Sequence, residues 1–324
     1  MNKKFYKGVS KGVFSALTWG IDTAFSAKLL SMLPFIKTED TIFLAPFVSV
    51  FLHDFFSSIW ILLYMTFNGK IKDFIRAIKT RSSKFAMIGG ILGGPVGMTG
   101  YYLAVKYMGA SNTAAISAIY PAVGAILASI FLKEKVNKKA WFGIVLTILG
   151  VGLLGFTGEK GSFNLIGFAC AMLTVIGWGS ECVICAYGMK DEEIDETQAL
   201  QLRQLASAIF YGVILLPSLK AIPLVKEVII TGNTISLLII ISIAGTVSYL
   251  CYYGAIHQIG ATKAMSLNIT YVIWAMIIDK FILGNSITVK MIICAGLIMI
   301  GSVMVAAPNN EVLIEEDKSN SLKL

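Results

Sequence analysis

The chain has 324 residues, of which 56% are hydrophobic and only 14% charged, a balance too apolar for the surface of an ordinary water-soluble domain. Its formal net charge of +8 invites a nucleic-acid reading, but most of the Lys and Arg residues fall between apolar runs instead of forming one basic face. The composition excludes a soluble enzyme and a nucleic-acid binder, and it predicts an all-α integral membrane protein.

A spanning helix needs about 20 mostly apolar residues. Ten such runs follow one another: 10–32, 42–67, 84–106, 110–132, 140–157, 164–187, 198–218, 234–257, 261–283 and 289–307. The first run follows a basic start, as a signal peptide would, yet it continues through "SAKLLSMLP" and reads as a retained helix. If the ten runs alternate across the membrane, Lys3, Lys4, Lys7, Lys11, the loop "NGKIKDFIRAIKTRSSK" and "KEKVNKK" share one side. The outer segments of the first half are nearly bare of Lys and Arg, so both termini are expected in the cytoplasm. The second half carries little such bias, and its "KDEEIDE" loop is acidic. Residues 1–9 then form a cytoplasmic start, 10–157 and 164–307 the two halves, and 308–324 a cytoplasmic tail.

The third run contains "GGILGGPVGMTG", which lacks the preceding strand and the Gly-Lys-Ser/Thr of a phosphate loop. Its four-residue glycine spacings, Gly90 to Gly94 and Gly93 to Gly97, suit close helix packing, and Pro95 adds a kink. With no nucleotide module, any transport is secondary or facilitated. Cys170, Cys182, Cys185, Cys251 and Cys294 all fall within predicted spans. "CVIC" has metal or redox spacing, but inside a helix with no His nearby it reads as packing. No metal and no cofactor is expected.

The halves repeat. "YYLAVKYMGASNTAAISAIY" from Tyr101 aligns with "YYGAIHQIGATKAMSLNITY" from Tyr252, matching Tyr101/Tyr252, Tyr102/Tyr253, Ala104/Ala255, Gly109/Gly260, Ala110/Ala261 and Tyr120/Tyr271. "LTWGIDTAF" and "IGWGSECVI" align at a slightly larger offset, each with Trp-Gly and an acid three residues after the Trp. Because five is odd, two five-helix halves lie inverted relative to each other, with a substrate site expected where they meet near the midplane.

These features resemble the EamA type of drug/metabolite transporter over residues 8–307: two five-helix repeats, Trp-Gly in the first helix of each, and "PAVGAILASIFLKEKV" closing the fourth. The second half departs from the pattern, with Val272 opposite Pro121 and Asn285 opposite Glu134. The stretch "GGPVGMTGYYLAVKYMGASNTAAISAIYPAVGA" resembles the choline-permease branch, found in bacteria that decorate surface polymers with phosphocholine.

A charged side chain at a bilayer centre costs about 2.5–3.5 kcal/mol on insertion scales, so each intramembrane acid is a functional candidate. Asp22 and Glu181 have no opposite charge one turn away on their own helices, and the alternative to a binding role is an interhelical pair or a hydrogen-bonded neutral acid. Trp19 and Trp178 lie one turn before them on nearly the same face. The resemblance implies that Tyr101, Tyr102, Tyr249, Tyr252, Tyr253, Tyr271 and Trp274 come from centre-lining helices. Aromatic faces attract quaternary ammonium groups, so acids beside such faces describe a cation pocket. The substrate-binding candidates are Trp19, Asp22, Tyr101, Tyr102, Trp178, Glu181, Tyr252, Tyr253 and Trp274.

His53, adjacent to Asp54 in "LHDFF", joins Glu181 and Asp22 as a proton-coupling candidate. Asn268 and Asn112 are candidates for orienting substrate or bridging helices; Trp60, Trp141 and Tyr107 read as interfacial aromatics, and Asp279-Lys280 as an interfacial pair. The resulting expectation is a plasma-membrane secondary transporter for a small organic cation, choline first, working by alternating access with proton coupling. Its partners are substrate, protons and membrane lipids. The alternative is an exporter of neutral amino acids or other small metabolites. Two His residues, no HExxH and no GxSxG argue against a membrane hydrolase.

Overall fold

The computed structural model describes residues 3–108, 113, 116–155, 164–191, 193–282 and 286–307, and every regular element among them is a helix. The predicted Asn112 and Asn285, the loop at 158–162, the tail after residue 307 and the side chain of Asp279 lie outside the described residues.

Helix α1 covers Lys3–Leu30 and α2 covers Glu39–Phe67. After the short α3 (Ile71–Ala77), α4 (Arg81–Ile91) passes through a π-helical segment, Leu92–Met98, into α5 (Thr99–Met108). Next come α6 (Tyr120–Leu127), α7 (Lys138–Gly155) and α8 (Leu165–Gly188). Helix α9 (Glu196–Phe210) continues through a further π segment, Tyr211–Leu215, to Ser218. The chain ends with α10 (Ile222–Ile230), α11 (Gly232–Ile259), α12 (Ala261–Asn268), α13 (Tyr271–Ile282) and α14 (Val289–Ala306).

Several of these helices start on side-chain caps. Thr38 and Thr41 exchange side-chain and backbone hydrogen bonds at the start of α2, where Glu39 and Asp40 complement the helix dipole. Asp195 and Gln198 make the same reciprocal cap on α9, and Asn164 accepts from the Ile166 and Gly167 N–H groups on α8.

Among the described residues, six helical stretches are long and apolar enough to cross a membrane: Glu39–Phe67, Leu165–Gly188, Glu196–Ser218, Gly232–Ile259, Ala261–Ile278 and Val289–Ala306. Other predicted spans take different forms. The run at 10–32 lies on α1, whose buried side carries Ser15, Thr18 and Asp22, and the run at 84–106 is divided by the π segment.

The packing is reciprocal. Helix α1 lies against α11, α12 and α13, while α8 lies against α4, its π segment, α5 and α6; α2 meets α9, and α7 meets α14. Small residues permit the closest crossings: a Cβ on Gly90 would stand 2.9 Å from the Arg203 Cα, so α4 and α9 touch backbone to backbone. Trp60 is half-buried, and its indole N–H donates to Ser242 on α11 at 2.9 Å. Two apolar clusters bracket a polar centre. One gathers Ile61, Met65, Leu200, Leu202 and Ile256, and the other Leu29, Phe47, Leu52, Tyr211 and Leu216.

Candidate functional site

Between those clusters lies a cavity of about 430 Å³, walled by α1, α2, the third-run helices, α8, α9, α11 and the α12–α13 corner. A chain of charged groups crosses its floor. Arg203 on α9 donates through Nε to Glu181 Oε1 at 2.7 Å and through Nη1 to Asp54 Oδ2 at 3.0 Å. Its Nη2 donates to the Tyr249 hydroxyl at 3.1 Å, and the guanidinium lies 4.7 Å from that ring's centroid. Asp54 Oδ2 also accepts from Ser207 at 2.6 Å. His53 continues the chain, with Nδ1 3.1 Å from Asp54 Oδ1 and Nε2 3.1 Å from Asp22 Oδ2. Five ionisable side chains from four helices thus form one network.

Exposure separates anchors from cavity groups. The side chains of Arg203 and Asp54 are 3% and 4% exposed, whereas Glu181 and His53 are each 13% and Asp22 9%. A buried arginine needs its donors satisfied, and Glu181, Asp54, Gln204 and Tyr249 do this. With its acids ionised, the network carries two net negative charges when His53 is neutral and one when it is protonated. Both His53 nitrogens face carboxylate oxygens, and both donate only in the imidazolium form.

The π segment shapes the Glu181 side. A Cβ on Gly93 would occupy the space of the Glu181 carboxyl group, so glycine here lets the acid lie against the helix. Trp178 Nε1 donates to the Gly93 carbonyl at 3.1 Å, and Thr174 Oγ1 to the Gly97 carbonyl at 3.0 Å. The widened turns around Pro95 therefore have their carbonyls taken by α8.

Aromatic rings complete the wall. Trp19 meets Tyr249, His53 and Tyr271 edge to face at 4.9, 6.4 and 6.5 Å. Trp178 stacks on Tyr101 at 5.6 Å and meets Tyr120 edge-on at 5.8 Å.

Of the residues singled out in the sequence, Trp19, Asp22, His53, Tyr101, Tyr102, Trp178, Glu181 and Tyr252 line this cavity together. Two do not. Tyr253 is 1% exposed and turns its hydroxyl to the Cys185 sulfur at 3.2 Å, because it follows Tyr252 on the helix and faces about 100° away. Trp274 has its Cβ against Gly20, in the α1–α13 crossing. The expectation that Asp22 and Glu181 lack a local countercharge holds only within their own helices, since both are paired across helices. The cavity also contains Arg203 and Tyr120, which the sequence reading does not single out as site residues, and Asp54, which it notes only beside His53. A lone arginine inside the predicted span 198–218 is the signal that points to the first. Asn268 donates to Ser15 at 2.9 Å, bridging α12 to α1 at the cavity edge. The five cysteines are free thiols.

One end of the bundle is closed by polar contacts. Glu196 takes Lys11 at 3.0 Å and His257 at 3.4 Å, and Lys70 reaches Asp195 at 3.0 Å. That Asp195 carboxylate raises the Lys70 pKa by hydrogen bond and charge. Glu134 accepts from the Ala261 and Thr262 N–H groups at 2.7 and 3.1 Å, meeting the α12 N-terminus.

An all-helical bundle with several apolar spans around a polar, aromatic cavity defines a multi-pass membrane transporter. The chain belongs to the EamA-like transporter family, which matches residues 6–156 and again 165–307. It is similar to Protein LicB of Haemophilus influenzae, 39% identical over 191 residues, covering 58% of this chain and 63%, less than two thirds, of that protein. It is also 28% identical over 243 residues to an uncharacterized transporter of Clostridium kluyveri, covering 72% and 73% of the two chains. A solved protein crystal structure superposes with a TM-score of 0.71 over 92% of this chain and 95% of that one; at 14% identity the likeness concerns the fold alone.

Proposed function

We propose that this protein is a secondary transporter that carries a small organic cation, choline first, across the plasma membrane by alternating access. The observation that carries this reading is the cavity's charge: three acids against one arginine, surrounded by ring faces. At an effective dielectric of about 20, a unit charge about 4 Å away is worth about 4 kcal/mol. An exposed ring face is worth about 0.5–1 kcal/mol, rising to about 2 kcal/mol when desolvated. The acids therefore select for positive charge, and the rings favour a quaternary head that has no N–H to donate. Trp19, Asp22, Tyr101, Tyr102, Trp178, Glu181 and Tyr252 are the residues assigned to substrate.

Protons are assigned to His53, with Asp22 and Glu181 as its acidic company. A cation arriving beside Asp22 competes with the positive charge on His53, which gives a route for coupling the two. The topology proposed is ten spans in two inverted halves, 10–157 and 164–307, with cytoplasmic termini. Reciprocal packing of α1 on α11–α13 and of α8 on α4–α6 supports it. In that orientation the Glu196 and Glu134 contacts close the cytoplasmic end, and the cavity runs toward Leu29, Leu30 and Leu238 at the outer end.

One observation favours the exporter of neutral metabolites instead: Arg203 already engages Glu181, which gives that acid a structural use. Choline binding to the purified protein, measured by calorimetry with ethanolamine, betaine and neutral amino acids as competitors, separates the two. Choline binding that ethanolamine and betaine displace poorly supports the cation reading, and binding of a neutral amino acid without choline overturns it.

A further inference from the structure

A second cavity of about 400 Å³ adjoins the first. Six residues line both: Thr23 and Ala27 of α1, Tyr101, Tyr120, Trp178 and Tyr271. The remainder of the second lining includes Ala24, Ala118, Val151, Leu154, Ala275 and Met276, from α1, α7, α13 and the turn before α6. The two chambers differ in kind. The first holds Asp22, Asp54, Glu181, Arg203 and His53, whereas no charged side chain stands among the described residues that line the second.

The rings that line both chambers are held in place. Trp178 is fixed by its hydrogen bond to the Gly93 carbonyl and by the stacked Tyr101 ring, with Tyr120 against its edge. Thr23, one of the few polar groups on this side, has its hydroxyl turned to the Trp19 carbonyl at 2.8 Å. The second chamber thus offers ring faces and aliphatic carbon to an occupant, and no countercharge.

We infer that the second chamber is a binding site for the apolar substituent of an amphiphilic quaternary ammonium ion whose charged head occupies the first. This rests on the cation reading of the first chamber. A trimethylammonium head has one long arm, and the shared aromatic wall lies where that arm leaves the acidic chamber. An alkyl chain placed there is removed from water against Val151, Leu154 and Met276, while the head keeps the acids and the rings. Choline, whose arm is short and ends in a hydroxyl, fills the first chamber and leaves the second to water or lipid. The chamber would thereby set which substituted ammonium ions bind beside choline.

The test is displacement of labelled choline from the purified full-length protein by butyl-, hexyl- and octyltrimethylammonium. Affinity is expected to rise about fourfold per added methylene until the chamber is full. Leu154→Trp and Ala275→Leu, which reduce the second chamber from two different helices, are expected to cut that increment to under about twofold per methylene while choline binds as in the wild type. An increment unchanged in both variants would mean that the chains lie elsewhere, and affinity that falls with chain length would mean that the chamber is not reached. Either result overturns this inference and leaves the cation reading standing. If choline itself does not bind, the cation reading fails and this inference falls with it.

Discussion

The same short pattern, a tryptophan followed three residues later by an acid, opens both halves of the chain, yet the acids meet different partners. Asp22 faces His53 on α2, and Glu181 faces Arg203 on α9; each partner comes from the next long helix after its acid. Asp54 touches both and links them. Arginine stays charged at any accessible pH, whereas histidine has both a charged and a neutral form. The Glu181 side therefore has a base whose charge is fixed, and the Asp22 side, under the proposed coupling, is the one that protonation alters. A repeat that looks symmetrical by its acids is asymmetric by its bases.

Arg203→Met breaks this comparison most severely. It leaves Glu181 and Asp54 buried without their cation and is expected to cost about 3–5 kcal/mol, read as a lowered unfolding temperature in detergent. Adding Glu181→Gln and Asp54→Asn to it should recover much of the loss. His53→Gln should cost less, about 1–2 kcal/mol, because an amide still hydrogen-bonds the carboxylates. Its stronger signature is functional, a flattened pH dependence of uptake. Equal destabilisation by the two substitutions would contradict the division into fixed and switchable pairs.

Gly93→Ala sharpens the Glu181 side without changing a charge. The added methyl group takes the space of the carboxyl group and pushes it from Arg203, at a cost of about 1–3 kcal/mol with weakened cation binding. On the aromatic side, Trp19→Ala should weaken cation binding roughly five- to thirtyfold, the worth of about 1–2 kcal/mol. Trp178→Ala should weaken it less, since Tyr101 already covers a face of that ring, and Trp→Phe at either position should keep part of the affinity. A larger effect at Trp178 in a titration of labelled choline would reverse the assignment of the nearer ring. Tyr253→Phe removes only the contact with Cys185; it should cost under about 1 kcal/mol and leave binding unchanged.

Much of this architecture is legible in the sequence. Apolar runs of spanning length, the repeated Trp-Gly-x-acid pattern and the tyrosine pairs indicate an all-helical membrane protein with a central aromatic site, and Trp19, Asp22, Trp178 and Glu181 do line one cavity. What local spacing does not carry is the partner across a helix interface. The i+3 and i+4 positions after Asp22 and Glu181 hold no base, while His53 and Arg203 are 31 and 22 residues away. Tyr252 and Tyr253 are adjacent in sequence, so membership of a lining helix does not say which of them faces inward; the helical turn decides it. Glycine spacing in "GGILGGPVGMTG" indicates close packing, but not that Gly93 makes room for a carboxyl group three helices further along the chain.

Uptake of labelled choline into proteoliposomes carrying the wild-type protein, and in parallel the Glu181→Gln protein, tests the cation cavity most directly. The expected result is saturable uptake by the wild type that responds to an imposed pH gradient and resists competition by neutral amino acids, with uptake strongly reduced in Glu181→Gln. Saturable choline uptake of equal affinity and rate in both proteins would contradict a role for Glu181 in the cavity's charge, and exchange of a neutral amino acid with no choline uptake would contradict the cation cavity itself.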